Sequence, residues 1–371
     1  MYYSCSSCGK EYSIAEKLYR CTCGEPLELE YDNTHREIDS EDKGRSIWRY
    51  KSLLGLPSDL TPISLGEGFT PVIKRRIEGT ELFLKLDFLQ PSGSFKDRGA
   101  SVLISMVHNL GITEIVDDSS GNAGAAISAY SAAAGIKCKI FVPDYTPEGK
   151  LSQIRFYNAD VVKVRGTRQD TNEAAVAASE HTYYASHLWN PLFSLGSASI
   201  AYELWEHFNG HLPAVVIVPL GGGGNLEGIY IGFKRLYQAG HIAHIPKIIG
   251  VQSANCSPIH TAYEAGLSDS NSEVDVTSTV AEGISVQNPP RARAVLEAIR
   301  GTQGFTLAVS EEEIISASRL LFSMGICVEP TSATVVAGWK KLNRALKKEA
   351  VLILTGSGLK ETTKLSTLLS T

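Results

Sequence analysis

No stretch of the 371 residues stays apolar for the ~20 positions that a bilayer-spanning helix needs. Nor does a basic segment followed by an apolar one stand near Met1-Tyr2-Tyr3-Ser4-Cys5, so no secretory signal is expected and the cytoplasm is the expected compartment. Positive charge is also in short supply. The 35 Lys and Arg against 40 Asp and Glu leave a net charge of −5, which gives no electrostatic case for nucleic acid or an anionic membrane as a partner. Internal repeats and low-complexity segments are missing. The nine histidines have neither the spacing of a metal site nor that of a catalytic triad. His187, in Ala185-Ser186-His187-Leu188-Trp189-Asn190-Pro191, reads first as a structural histidine and second as a proton carrier. What remains is an ordinary globular composition, 43% hydrophobic and 20% charged, long enough for two domains or one large one.

Seven cysteines, an odd count without a signal segment, argue against a disulfide framework. Cys138 and Cys327 lie in apolar runs and read as small core residues. Cys256 lies in a polar stretch and is given no role. The other four crowd into the first 23 residues as Cys5-x-x-Cys8 and Cys21-x-Cys23. Each pair is close enough for both thiolates to reach one ion, and the twelve residues between can form a hairpin. Gly9 and Gly24 follow the second cysteine of each pair, as tight turns require. Four thiolates favour a closed, tetrahedral, structural Zn²⁺ site at Cys5, Cys8, Cys21 and Cys23. A metal-free ribbon and a redox pair are the alternatives.

Beyond this module the chain predicts an α/β fold. Short apolar runs at 81–86, 114–117, 139–143, 161–164, 214–218, 247–251 and 351–354 read as strands. Helices are expected between them, notably at 123–134, which is rich in small residues and ended by Gly135. Strands alternating with helices imply a parallel, helix-covered sheet. The charged stretch from 32 to 59 reads as an arm anchored by Ile47-Trp48-Arg49-Tyr50, and 269–276 as a polar loop.

Two motifs carry chemistry. Pro91-Ser92-Gly93-Ser94-Phe95-Lys96-Asp97-Arg98-Gly99-Ala100 sets a lysine at a helix start, with Ser94 as the expected N-cap. The positive end of a helix dipole disfavours the charged lysine, and a lysine that deprotonates easily suits Schiff-base chemistry. Gly221-Gly222-Gly223-Gly224-Asn225 follows an apolar strand and precedes a helix starting near Leu226. Backbone without side chains lets several N–H groups converge on a phosphate. The loop is not a Walker loop, because no Gly-Lys-Ser/Thr follows, and its glycine spacing is not that of a dinucleotide site.

These stretches resemble threonine synthase, within the tryptophan synthase β-like pyridoxal-phosphate enzymes of fold type II. Ser119-Ser120-Gly121-Asn122-Ala123-Gly124, Leu354-Thr355-Gly356-Ser357-Gly358-Leu359-Lys360 and Leu65-Gly66-Glu67-Gly68-Phe69-Thr70-Pro71 are similar to further motifs of that family. The likeness runs from about Gly66 to about Lys360. It implies two three-layer α/β lobes beside the zinc-ribbon-like module: the module at 1–33, an arm and the start of the large lobe at 34–92, the small lobe at 93–190 and the rest of the large lobe at 191–371. It implies that Lys96 carries pyridoxal 5′-phosphate covalently and shuttles protons. Asn122 would bond the ring hydroxyl, Gly221, Gly222, Gly223, Gly224 and Asn225 would hold the phosphate, and Thr355 would face the pyridine nitrogen. Ser119, Ser120 and Gly121 would bind the carboxylate of a small amino-acid substrate. Pro330-Thr331-Ser332 resembles a weaker family segment. Archaeal-type members often carry a similar cysteine ribbon, and the family suggests a homodimer.

The likeness breaks at one place that matters. A threonine synthase binds O-phosphohomoserine, and the family's segment after its Asn-Pro pair carries basic residues for that phosphate. Here Asn190-Pro191-Leu192-Phe193-Ser194-Leu195-Gly196-Ser197-Ala198-Ser199 has no Arg or Lys. Lys150, Arg155, Arg165 and Arg168 are the cations that other loops offer. Ala123 and Ser357 also stand where the family has threonine and histidine. Two reactions therefore stay open: threonine synthesis with loss of phosphate, and a serine/threonine ammonia-lyase or β-replacement on a non-phosphorylated amino acid. A catalytically silent sensor is disfavoured by the intact Lys96, Asn122 and glycine loop.

Overall fold

A computed structural model of the chain describes residues 1–31, 44–270 and 274–370. The expected start of the arm near 34 and part of the polar loop, 271–273, lie outside the described residues. Three short strands open the chain: β1 (Tyr2–Ser4), β2 (Glu11–Ser13) and β3 (Glu28–Glu30). A hairpin of β4 (Val72–Ile77) and β5 (Thr80–Lys85) precedes helix α1 (Lys96–Asn109). Then follow β6 (Glu114–Asp117), α2 (Asn122–Ala134), β7 (Lys137–Pro143), α3 (Glu148–Phe156), β8 (Asp160–Val164), α4 (Arg168–Ala178) and β9 (Tyr183–Tyr184). Next come α5 (Pro191–His207), β10 (Val215–Pro219), α6 (Gly224–Gln238), β11 (Lys247–Ser253), α7 (Pro258–Glu264) and α8 (Ala292–Gly301). The chain closes with β12 (Phe305–Val309), α9 (Glu311–Ser323), α10 (Pro330–Lys340), α11 (Arg344–Lys348), β13 (Ala350–Ile353) and α12 (Thr362–Ser370). Among the described residues no helix is long and apolar enough to cross a membrane.

The chain divides into two compact units, Met1–Phe69 with Lys96–Ser199, and Thr70–Phe95 with Ile200–Thr371. In the first, β2-β1-β3 form a small antiparallel sheet and β8-β7-β6-β9 a parallel one. Val116, Phe141, Ala175 and Tyr184 make a core cluster on the parallel sheet, and Tyr19 of the cysteine module packs into it. The Tyr19 ring meets Tyr184 edge-on at 5.0 Å, and Arg20 lies over both Tyr19 and Trp189. At Gly124 of helix α2 only glycine fits: a Cβ there would stand 1.8 Å from the Ser119 carbonyl oxygen. The helix ends as the sequence predicts, with Gly135 left-handed at φ 67°.

The arm is fastened to this unit by one carboxylate. Glu67 is fully buried and accepts hydrogen bonds from Trp48 Nε1 (2.9 Å), Ser101 Oγ (2.7 Å), Tyr130 Oη (2.8 Å) and the Leu65 N–H (2.9 Å). The Trp48, Ser101 and Tyr130 donors come from a 3₁₀ turn at Ile47–Tyr50, from α1 and from α2.

The second unit has a six-stranded sheet in the order β12-β11-β10-β13-β5-β4, parallel except for β4 at one edge. All five residues of β10 are buried, which is why the strand reads as an unbroken apolar run rather than an alternating one. Lys85, at the end of β5, is buried with its ammonium paired to Glu203 and bonded to the Thr70 carbonyl (2.7 Å).

Replacing Glu67 by Ala removes the acceptor of Tyr130 Oη and one of two acceptors each for Trp48 Nε1, which also reaches Ser101 Oγ (2.9 Å), and Ser101 Oγ, which also reaches the Ile63 carbonyl (2.8 Å). Leaving a buried donor unsatisfied costs roughly 1–3 kcal/mol, so E67A should lower the unfolding free energy by about 2 kcal/mol. Denaturant titration checks it; a midpoint within error of the parent would show that the network contributes little.

Candidate functional site

Lys96 is the first residue of α1. Ser94 does not cap the helix as the sequence predicted. Its backbone forms an isolated antiparallel bridge with Gly356, and its buried Oγ has no hydrogen-bond partner among the described residues. The Lys96 stem is partly exposed, yet enough protein surrounds the ammonium that burial lowers its pKa to about 8, with the Asp117 carboxylate pulling the other way. The Lys96 Nζ stands 5.5 Å from the centroid of the Phe193 ring, and His187 meets the same ring at 5.8 Å.

Two glycines allow this approach. A Cβ at Gly99 would stand 2.5 Å from the Phe193 carbonyl oxygen, and one at Gly196 would stand 2.1 Å from that of Arg98. The buried Arg98 then donates from Nη1 to Ser199 Oγ at 2.8 Å. The 193–199 turns of α5 are thereby packed directly against the lysine-bearing start of α1.

Asp117 ends β6 and is fully buried, and burial pushes its carboxyl up to about 6 despite the Asp118 and Ser119 N–H groups and the Arg168 and Lys96 charges. Its Oδ1 lies 3.9 Å from Nδ1 of His187. Burial holds His187 well below the usual histidine range, followed by the Lys96 charge, so the imidazole is neutral at pH 7. Sequence reasoning assigned no role to Asp117; the available signal was a carboxylate closing the apolar Ile115-Val116 run. Ser119, Ser120, Gly121 and Asn122 form the turn from β6 into α2, with Asn122 its first helical residue and Gly121 exposed.

In the second unit the glycine loop joins β10 to α6, as predicted. Gly223 is the N-cap residue at φ 90°, a conformation that disfavours any side chain, and no side chain caps the helix start. A Cβ there would also stand 2.2 Å from Val295 Cγ2, and one at Gly221 would stand 2.9 Å from Ile284 Cα. Asn225 is buried, and both its amide atoms lack partners among the described residues. Glu227, in the same first turn, is neutralised by the buried Arg291, whose Nε donates to Oε2 at 2.7 Å. The helix start therefore keeps its positive end free of a competing carboxylate. Thr355, just beyond β13, is buried and held by Ser332, whose Oγ accepts the N–H groups of Thr355 and Gly356 (2.9 Å each) and meets the Thr355 hydroxyl at 3.2 Å. The Pro330-Thr331-Ser332 segment, weak as a sequence signal, is thus what orients Thr355. Phe95 also donates its N–H to the Thr355 carbonyl at 2.9 Å.

A family model described as pyridoxal-phosphate dependent enzyme matches residues 63–356. The chain belongs to the pyridoxal-phosphate dependent enzymes. It is 36% identical to threonine synthase of Methanocaldococcus jannaschii over 96% of this chain and 92% of that protein. It is 34% identical to threonine synthase of Methanosarcina acetivorans over 91% and 86%. Among solved structures it resembles a threonine deaminase from T.th., with a TM-score of 0.67, 28% identity and coverage of 78% of this chain and 92% of that one. The sheets and helices are those of the fold-type II members of the family.

The residues of this enzyme fit the cofactor. The first unit carries a lysine whose neutral form is favoured, as a covalently held aldehyde needs, and the second, by itself, a glycine cradle that a Cβ would fill and buried polar atoms of Asn225 without partners among the described residues, as a phosphate ester needs.

The cysteine module brings its four sulfurs together. All lie within 4.8 Å of one another, with Cys5 to Cys23 at 3.6 Å and Cys8 to Cys21 at 3.5 Å. A tetrahedral zinc with Zn–S near 2.3 Å sets sulfurs about 3.8 Å apart. Gly9 and Gly24 make the two tight turns at φ 72° and 98°.

A lysine with a lowered pKa costs the folded state stability below about pH 8, and that cost is relieved as the pH rises toward 10.5. Aldehyde modification of Lys96 in cofactor-free protein should therefore titrate with a midpoint near 8. Because the Asp117 charge raises that pKa, D117N should move the midpoint down. Modification rates followed by mass spectrometry across pH read both; a midpoint in the parent near the ordinary lysine value would contradict the burial argument.

Proposed function

We propose that the chain is a threonine synthase, a lyase that converts O-phosphohomoserine and water to threonine and phosphate. The observation that carries this reading is the breadth of the match. The Methanocaldococcus jannaschii threonine synthase aligns with 96% of the chain, extending into the cysteine module, whereas the threonine deaminase covers 78%.

Bound pyridoxal phosphate would supply the electron sink that makes the substrate's α and β protons removable. The chain's own groups would do the rest. Lys96 would hold the cofactor and then, as a free amine, carry protons to and from the substrate carbons. Asn122 would donate to the ring hydroxyl, Gly221, Gly222, Gly223, Gly224 and Asn225 would offer N–H groups to the phosphate, and Thr355 would present a neutral hydroxyl to the ring nitrogen. A hydroxyl, unlike a carboxylate, does not force that nitrogen to be protonated, which suits elimination and replacement over transamination. Ser119, Ser120 and Gly121 would hold the substrate carboxylate at the start of α2. The protein would work in the cytoplasm, as a homodimer, on this small amino acid. Cys5, Cys8, Cys21 and Cys23 would hold a structural Zn²⁺ that fixes the module carrying Tyr19.

A serine/threonine ammonia-lyase is the second reading. It is favoured by the missing cations of Asn190–Ser199 and by Phe193 beside Lys96.

Cofactor-loaded protein offered O-phosphohomoserine should release threonine and phosphate in equal amounts. No phosphate, with 2-oxo acid and ammonia formed from serine or threonine, would overturn the first reading in favour of the second. Cys21→Ser should lower bound zinc, read by atomic absorption on purified protein, and expose the module to protease before the body. Unchanged metal content would contradict the zinc site.

A further inference from the structure

A substrate that leaves as threonine and phosphate enters with a phosphate dianion, and a guanidinium binds such a group best through paired, charge-assisted hydrogen bonds. The start of α5 supplies none, since Phe193 and Ser194 follow Pro191 and Leu192 there. The four cations left open by the sequence now separate. Arg155 is paired with Glu148, which Lys163 also engages at 2.7 Å. Arg165 is exposed in the turn after β8, and the Lys150 side chain lies outside the described residues.

Arg168 is placed differently. Its Nη2 stands 3.0 Å from Oδ2 of Asp118, the residue immediately before the Ser119–Asn122 turn. Asp118 does not depend on it, because this buried carboxylate also accepts from Asn172 Nδ2 and Tyr184 Oη at 2.9 Å each. The Arg168 side chain is still 49% exposed, so the guanidinium is anchored along one edge and open along the other. The backbone beneath it is fixed by the reciprocal cap of Thr167 and Asp170 at the start of α4. Its charge is felt with that of Lys96 at both Asp117 and His187, the buried groups beside the reactive lysine.

We propose that Arg168 is the residue that recognises the phosphate of the substrate, replacing the cations missing from the α5 start. Asp118 orients the guanidinium, and the adjoining turn is left to hold the substrate carboxylate. The assignment rests on the threonine synthase reading and deepens it. It makes phosphate selection a property of the β8–α4 and β6–α2 connections, both in the first unit.

The test uses full-length, cofactor-loaded R168Q and R168K beside the parent. Loss of a charge-assisted pair should raise the KM for O-phosphohomoserine by roughly 30-fold in R168Q, with kcat within about threefold. The inhibition constant for inorganic phosphate should rise by a similar factor, while that for L-homoserine, which lacks the phosphate, should hold within about twofold. R168K, a point charge without the fork, should fall between. An unshifted KM in R168Q, or equal weakening of homoserine and phosphohomoserine, would overturn the proposal, the second outcome making Arg168 a mere support of Asp118. Should R168Q fail to fold, R168K decides alone: it must raise the KM and spare homoserine. A parent that releases no phosphate would remove the threonine synthase reading itself, whereas parent turnover with an unshifted R168Q removes only the role of Arg168.

Discussion

An amine that must lose its charge easily, set inside a protein, constrains much of the first unit. Burial does the work at Lys96, and it requires neighbours that are close and apolar. Phe193 supplies that surface only because Gly99 and Gly196 let α1 and the start of α5 approach at backbone distance. The approach is then locked by Arg98 bonding Ser199 and, one turn on along α1, by Glu67 gathering Ser101 and the arm. The lysine motif, the Gly66–Gly68 turn and the α5 start are parts of one device for holding an amine.

The two adjacent carboxylates at the end of β6 divide their tasks by environment. Asp118 is held by Arg168, Asn172 and Tyr184 and so anchors the turn that follows. Asp117, one residue earlier, has neither oxygen hydrogen-bonded in the ordinary range among the described residues, and faces a neutral His187 and the Lys96 amine. A strand alternates its side chains between faces, so neighbours in sequence serve different surroundings. Through Tyr184 the same node touches Tyr19 of the cysteine module, which ties the order of that module to the turn beside Lys96.

Much of this was legible in the sequence. The buried parallel strands were, because β10 and β13 are unbroken apolar runs and β6, β7 and β11 carry short apolar stretches at Ile115-Val116, 140–142 and 248–251. The glycine loop, the cysteine knuckles and the end of α2 were, because each needs a backbone that glycine permits. β9 was not, since two tyrosines carry no period, and β4, with Lys74, Arg75 and Arg76 on an exposed edge, hides its strand character behind charge. Ser94 misled, because a good capping residue was used for a bridge to Gly356 instead. Asp117, Glu67 and Ser332 act through contacts distant in sequence, and no local pattern announces such contacts.

The central claim is that Lys96 is the residue that holds the cofactor, and covalent trapping tests it most directly. Protein loaded with pyridoxal phosphate, reduced with borohydride and digested, should yield one peptide bearing the reduced cofactor, with the added mass on Lys96. The same mass on another lysine, the buried Lys85 included, or no adduct after loading, would contradict the account.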